Sequence, residues 1–475
     1  MLKPQTLTDE ARAFPGLHLE SIEGTVLSTI VNAKVSDVLK MGGISPSKRT
    51  VPFRSLRSAL INGKGRTFIL ECKKSSPTLG DFCKDFNLNR LLACYESRAA
   101  AISVLCEEHF FKGSLAYLRT VKERTALPVL CKDFIIDEKQ LLAAANAGAD
   151  AVLLMLSLLK RQRFLELFEK ASALGLEVLC EVDNAEDARF ATEQHFPVVG
   201  INNRDLRTLK IDLNNAKKIA PLLKESVVVS ESGIRSHSDL RFLAPIKSFL
   251  IGSSLSGASD LHFAADSILY GLNKICGITS PEALSAAIAG HAAIAGLIFC
   301  EKSPRNLTRE QALSLSQMAK GRIKLAAVFA DMPITAMVEL VKLTGASYVQ
   351  LHGNESIETI AKLRAALPSV GIIKALRIRS DEDFAAYSQY APLCDLMLLD
   401  SGTPGSGTSF DWKRIPATVD RHRTLLSGGI GCRNLKEALA QGFLGVDMNS
   451  ALEKQKGMKD PELIKNALEI IHETI

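Results

Sequence analysis

Short, nearly continuous apolar runs recur eight times along the first half of the chain, and the same pattern then starts again. The first series reads FILECKK (68–74), AISVLCE (101–107), VLCKDF (129–134), AVLLMLS (151–157), EVLCEV (177–182), VVGINNRD (198–205), VVVSESG (227–233) and FLIGSS (249–254). Each run has the length of a strand, and its apolar residues are continuous rather than alternating, as expected of a parallel strand covered on both faces. The stretches between them suit helices. Residues Glu138–Gly148 and Arg161–Gly175 each close on a glycine, which ends a helix by taking up left-handed backbone. Eight such units in succession point to a closed parallel barrel rather than an open sheet.

The second series reads KICGIT (274–279), IAGLIFC (294–300), KLAAVFA (324–330), YVQLHG (348–353), IIKAL (372–376), LMLLDSG (396–402), TLLSGGI (424–430) and GVDMNS (445–450), with the joint near Gly271–Asn273. The predicted class is therefore α/β, with two consecutive (β/α)8 TIM barrels. The expected division is a partly helical N-terminal extension over 1–48, one barrel over 49–272 and a second over 273–475. Thr25–Asn62 reads as helical, and residues 1–24 read as an added tail, disordered or ordered only by crystal packing. A chain of 475 residues is long enough for two domains of that size.

Composition narrows the function classes. The net charge of +6 is spread along the chain, with no Lys/Arg block interleaved with aromatics. That argues against nucleic acid as a partner and fits anionic small molecules. No apolar run approaches the roughly 18 residues of a membrane span, and the polar N-terminus lacks the apolar segment of a signal peptide. The ten cysteines include no C-x-x-C pair and the nine histidines no zinc spacing. Reduced thiols in a cytoplasmic protein are expected, with no metal and no organic cofactor. A monomer is the simpler expectation, since two barrels already share one chain.

In barrels of this kind the chemistry sits at the C-terminal ends of the strands. In the first series those positions hold Glu71, Lys73, Lys132, Glu181, Asn202, Arg204, Glu231 and Ser232. One charged residue at a strand end is unremarkable, but this many converging from five strands of one barrel share a single mouth. The loops after the last two strands are favoured phosphate stations, because glycine lets backbone N–H groups approach an anion. The first half carries Ser232-Gly233 and Gly252-Ser253 there, and the second half carries Gly428-Gly429 and Asn449-Ser450 at the same places.

These residues carry a resemblance. ILECKKSSP (69–77), CKDF (131–134), GINNRDL (200–206) and SESGI (230–234) resemble indole-3-glycerol-phosphate synthase. KICGIT (274–279), QLHGNE (350–355), the strand end at Asp400, GSGTSFDW (405–412), SGGI (427–430) and VDMNSALE (446–453) resemble phosphoribosylanthranilate isomerase. Both families are barrels, catalyse adjacent steps of tryptophan biosynthesis and occur fused in this order.

The resemblance implies an Amadori rearrangement of phosphoribosylanthranilate in the second half, with Cys276 as base at C2 and Asp400 as acid at the ring oxygen. A thiol with a lowered pKa suits the first role and a protonated carboxyl the second. Arg305 is implied to pair with the anthranilate carboxylate, although its SPRN context departs from the family's usual form, and His352 is expected at the mouth. The first half is implied to close the pyrrole ring of carboxyphenylamino-deoxyribulose phosphate with loss of CO2 and water. There Lys132 is the implied acid and Glu181 the implied base, with Lys73 holding the substrate carboxylate and sharing the acid role. Glu71, Asn202, Arg204, Glu231 and Ser232 would orient the substrate, and Ser76 and the two Gly/Ser loops would hold phosphate. Two readings stand beside this one. In the first, one barrel is a non-catalytic scaffold. In the second, the second barrel is a histidine-pathway sugar isomerase, which would carry Asp where Cys276 stands.

Overall fold

The computed structural model describes residues 2–401 and 409–474. The chain forms two compact units. One runs up to Arg235 and includes Asp239–Leu261; the other comprises Ser236–Ser238 and the chain from His262 onward.

The first unit holds strands β1 (Thr67–Cys72), β2 (Ala101–Leu105), β3 (Val129–Lys132), β4 (Ala151–Met155), β5 (Glu177–Val182), β6 (Val198–Asn202), β7 (Val227–Glu231) and β8 (Ser248–Ile251). They pair in sequence order, and β8 returns to β1 with Thr67 opposite Ser248, so the sheet closes. Most residues of these strands are buried, as their continuous apolar runs require. The helices between them are set by local chemistry. Asp137 and Gln140 form a capping box at the start of Glu138–Asn146, satisfying backbone N–H groups that the helix itself cannot. Gly148 and Gly175 follow the two helices predicted to end on them, at φ 92° and 70°.

The N-terminal region departs from expectation. Residues 1–24 were expected to be an added tail, disordered or ordered only by crystal packing, yet helices α1 (Asp9–Ala13) and α2 (Leu19–Ile22) form there. Leu7, Ala11, Leu17 and Ile22 are buried, Leu17 bridges to Leu159, and the Lys160 N–H donates to the Gly16 carbonyl at 2.8 Å. These apolar residues are too irregularly spaced to read as one helix face, so only tertiary contact reveals them. The helix predicted over 25–62 is two helices, α3 (Val26–Lys40) and Leu56–Ile61, with no regular structure between.

The second unit repeats the architecture with β9 (Lys274–Cys276), β10 (Ile294–Phe299), β11 (Lys324–Phe329), β12 (Tyr348–Leu351), β13 (Gly371–Ile378), β14 (Leu396–Ser401), β15 (Thr424–Leu426) and β16 (Gly445–Met448). Closure is through β16 against β9, with Asp447 opposite Lys274. A core of Leu272, Ile294, Ala326, Ile373, Leu398 and Leu425 fills part of this barrel, and Phe263 and Tyr348 pack against it. Phe263 belongs to the helix Leu261–Tyr270, which from His262 onward falls in this unit.

Candidate active sites

In the first barrel the strand ends deliver their polar side chains to one cavity of about 720 Å³. Glu71, Lys73, Lys132, Glu181, Asn202, Arg204, Ser232, Gly233, Gly252 and Ser253 all line it. Glu231 is fully buried and is not among the lining residues; it holds the Lys132 ammonium at 2.7 Å. Glu71 lies between the two lysines, 3.4 Å from Lys73 and 3.8 Å from Lys132. Ser76 does not line the cavity either. Its hydroxyl accepts from the Leu79 N–H at 3.1 Å and so shapes the loop whose Thr78 and Leu79 do line it.

Two glycines make room for the carboxylates. A Cβ at Gly252 would stand 2.1 Å from Glu71 Oε1, and one at Gly200 would stand 2.0 Å from Glu231 Oε1. Gly200→Ala must therefore turn the Glu231 carboxylate away from Lys132. The expected result is a fall of about 10–100-fold in the turnover of the reaction that this cavity carries, the size of effect that a small displacement of a reacting group produces, with the chemistry of the second barrel unchanged. Parallel assays of the two reactions check it.

The electrostatics distinguish the groups. Burial disfavours the Lys132 ammonium, but Glu231, Glu71 and Glu181 outweigh it and leave its pKa raised. Burial lowers the Lys73 pKa, opposed by Glu71 and aided by Lys132 and Arg204, so Lys73 releases its proton more readily. Burial, reinforced by Glu231, pushes the Glu181 carboxyl up to about 8, against the pull of Lys132 and of a hydrogen bond from Asn202.

Sequence reasoning missed the apolar wall and its supports. Phe111, Phe134, Leu153 and Met155 line the same cavity and offer a face for an aromatic ring. Phe111 is placed by Glu107, whose carboxylate accepts from the backbone N–H groups of His109, Phe110 and Phe111 at 2.7–3.0 Å. Helix α3 reaches this rim as well. Lys34 pairs with Asp133 at 2.9 Å and Asp37 with His109 at 2.9 Å. The aromatic pair in EEHFFKG (107–113) was the available signal; the pairing with α3 left none.

In the second barrel Cys276 ends β9 and is buried beside Ile298 and Val328. Lys274, two residues earlier, is fully buried and pairs with Asp447 at 2.9 Å. Asp400 lies 3.2 Å from His352 Nε2, and its own carboxylate accepts from the Ser401 N–H at 2.8 Å. His352 is fixed through its ring Nδ1, 3.1 Å from Gln350 Nε2, and through its carbonyl, which accepts from Arg377 at 2.9 Å. Burial raises the Asp447 pKa; Lys274 opposes this, while Asp400 adds to it. Burial also pushes the Cys276 thiol up, with Lys274 opposing. This corrects the lowered thiol pKa expected of a base, and the cause is the complete enclosure of the sulfur.

Arg305 is buried, and its guanidinium is held in a fork by Glu453 at 2.6 and 2.9 Å. Lys459 joins the same carboxylate at 2.6 Å and reaches Asn449 Oδ1 at 2.8 Å, so the Asn449 amide oxygen faces a lysine. Gly428 and Gly429 take φ values of 93° and 66°. A cavity of about 730 Å³ brings together Arg305, Gly429, Ser450 and Glu453 with two cations that sequence reasoning missed, Arg433 and Lys456. Cys276, Asp400, Gly428 and Asn449 are not among its lining residues. Of the segment GSGTSFDW, residues 405–408 lie outside the described residues. Among the described residues no cluster of three or more His, Cys, Asp or Glu side chains could hold a metal ion, and no helix is long and apolar enough to cross a membrane.

Two family models match successive parts of the chain. Residues 27–268 match the family indole-3-glycerol phosphate synthase, and residues 273–470 match N-(5'-phosphoribosyl)anthranilate isomerase. The tryptophan biosynthesis protein TrpCF of Helicobacter pylori is 37% identical over 94% of this chain and 99% of its own length. That of Vibrio cholerae is 38% identical over 86% of this chain and 87% of its own.

Proposed function

Since the chain belongs to the bifunctional TrpCF proteins, with the synthase N-terminal and the isomerase C-terminal, we propose how its residues divide the two reactions. The isomerase reaction opens the ribose ring of phosphoribosylanthranilate and moves the C2 hydrogen as a proton, giving carboxyphenylamino-deoxyribulose phosphate. We assign it to the barrel over 273–475. Asp400 gives a proton to the ring oxygen and Cys276 takes the one at C2. Arg305, steadied by Glu453, meets the anthranilate carboxylate with its remaining nitrogen, and His352 orients Asp400. Gly428, Gly429, Asn449 and Ser450, with Arg433 and Lys456 nearby, hold the phosphate.

The synthase reaction condenses the aromatic ring onto the C2' carbonyl and loses CO2 and water. We assign it to the barrel over 49–272, with the extension over 1–48 bracing its rim through Lys34 and Asp37. Lys132 protonates the carbonyl oxygen as the ring closes, and Glu181 takes the proton during dehydration. Lys73 holds the substrate carboxylate, and its lowered pKa suits it to supply a second proton. Glu71 and Glu231 fix the two lysines, Asn202, Arg204 and Ser232 orient the substrate, and the loops at Gly233, Gly252 and Ser253 take the phosphate. Neither reaction calls for a cofactor, and reduced thiols suit a cytoplasmic setting. The observation that carries this reading is the convergence of Lys73, Lys132 and Glu181 on one cavity with an apolar wall. Supplied with carboxyphenylamino-deoxyribulose phosphate alone, the protein should release one CO2 per indole product; no release would remove the synthase assignment.

A base with a pKa near 8 gives a pH profile with a definite sign. Below that value the carboxylate fraction of Glu181 falls about tenfold per pH unit, so synthase kcat/KM should rise with pH across the neutral range. Asn202→Ala removes a hydrogen bond that favours the carboxylate, so this limb should move to higher pH. A limb that stays in place or moves down contradicts the role given to Glu181.

A further inference from the structure

We propose that Lys274, held by Asp447 on the neighbouring strand, is a positioning residue that sets how readily Cys276 ionises. The proposal rests on Cys276 acting as the base of the isomerase, and it concerns two buried charges to which that reaction assigns no role. Side chains two apart on a strand share a face, so Lys274 and Cys276 enter the barrel interior together. Asp447 stands opposite Lys274 in the register of β9 and β16, and Gly296 stands opposite Cys276 in that of β9 and β10. The Lys274 ammonium is 2.9 Å from Asp447, and its positive charge favours the Cys276 thiolate. Gly296 keeps the space these atoms use: a Cβ there would lie 2.8 Å from Cys276 Sγ and 3.1 Å from Lys274 Nζ.

A fully buried ion pair is a poor way to fill a barrel, since apolar residues of similar volume stabilise as well or better. Its placement against the reactive sulfur supplies a reason for keeping it. Among the described residues, the charged groups with the largest influence on Cys276 are Lys274, Asp447 and Lys459. Lys274 on its own strand favours the thiolate, as does Lys459 from Met458–Lys459, while Asp447 on β16 disfavours it; of the three, Lys274 has the largest influence. Lys274 thus offsets part of the rise that burial imposes, and Asp447 keeps Lys274 charged and limits how far that offset goes.

The test is the absorbance of thiolate near 240 nm against pH, read as the difference between each full-length protein and the same protein carrying Cys276→Ser. It reports ionisation whether or not Cys276 is the base, so failure of this proposal and failure of the base assignment are distinguishable. Lys274→Met combined with Asp447→Asn leaves no unpaired buried charge and should fold. In that double variant Cys276 should ionise about one pH unit higher, roughly a tenfold loss of thiolate at neutral pH. The rising limb of isomerase kcat should move up by the same amount, with KM little changed and synthase activity retained. Asp447→Asn alone should shift the titration the opposite way. Titrations that overlay the parent protein in the folded variants, or that shift in the same direction in both, would overturn the proposal, because a packing role predicts no such pair of signs.

Discussion

Cys276→Ala is expected to lower isomerase turnover by about 10²–10⁴-fold, the range over which positioned general acids and bases act, while synthase activity on its own substrate stays at the parental level. The expectation follows from what alanine removes. In the proposed mechanism the Cys276 sulfur, at the end of β9, accepts the C2 proton, and alanine offers no group to replace it. Lys274 beside it is committed to Asp447, and the role proposed for Asp400 is the opposite one, giving a proton. Alanine also leaves the barrel intact. Cys276 packs against Ile298 and Val328, and loss of one sulfur from such a contact opens a space smaller than a methylene-rich side chain would leave, a modest cost compared with large-to-small core changes. A steady-state assay of each reaction on the same preparation checks both halves of the prediction.

Glu181→Gln is expected to produce the mirror image, a loss of about 10²–10⁴-fold in synthase turnover with the isomerase intact. Glutamine keeps the shape and the hydrogen bond to Asn202 but cannot accept a proton in dehydration. Stability should not confuse the result. The unfolded chain releases the glutamate proton near its ordinary pKa of about 4.3, whereas the folded chain keeps it up to about 8. Between those values the folded state binds the extra proton, so its stability falls as pH rises through that window. Glutamine never ionises and escapes that penalty, so at neutral pH the variant should melt no lower than the parent. A thermal melt beside the two activity assays settles whether lost activity reflects chemistry or unfolding.

Much of this was legible because parallel barrel strands are buried on both faces, so FILECKK or KLAAVFA announces a strand without context. The mouths were legible because several polar residues close their runs at the C-terminal end, as Glu71, Lys132, Glu181 and Asn202 do. What escaped was what depends on partners distant in sequence. Leu7, Ala11, Leu17 and Ile22 look like scattered residues of a polar tail until they are seen buried. Lys34 pairs with a residue 99 positions away and Arg305 with one 148 positions away, and no local pattern records either. The direction of the Cys276 pKa was misjudged because residue type suggests a reactive thiol, whereas enclosure, a tertiary property, pushes it up.

The central claim is that one chain carries two separate active sites in series. Mixing the two single-site variants tests it most directly. Given phosphoribosylanthranilate, Cys276→Ala alone should leave it unconsumed, and Glu181→Gln alone should accumulate carboxyphenylamino-deoxyribulose phosphate. An equimolar mixture of the two should convert the starting compound to indole-3-glycerol phosphate. A mixture that yields no indole product although both proteins are folded, or one variant lacking both activities, would contradict the account.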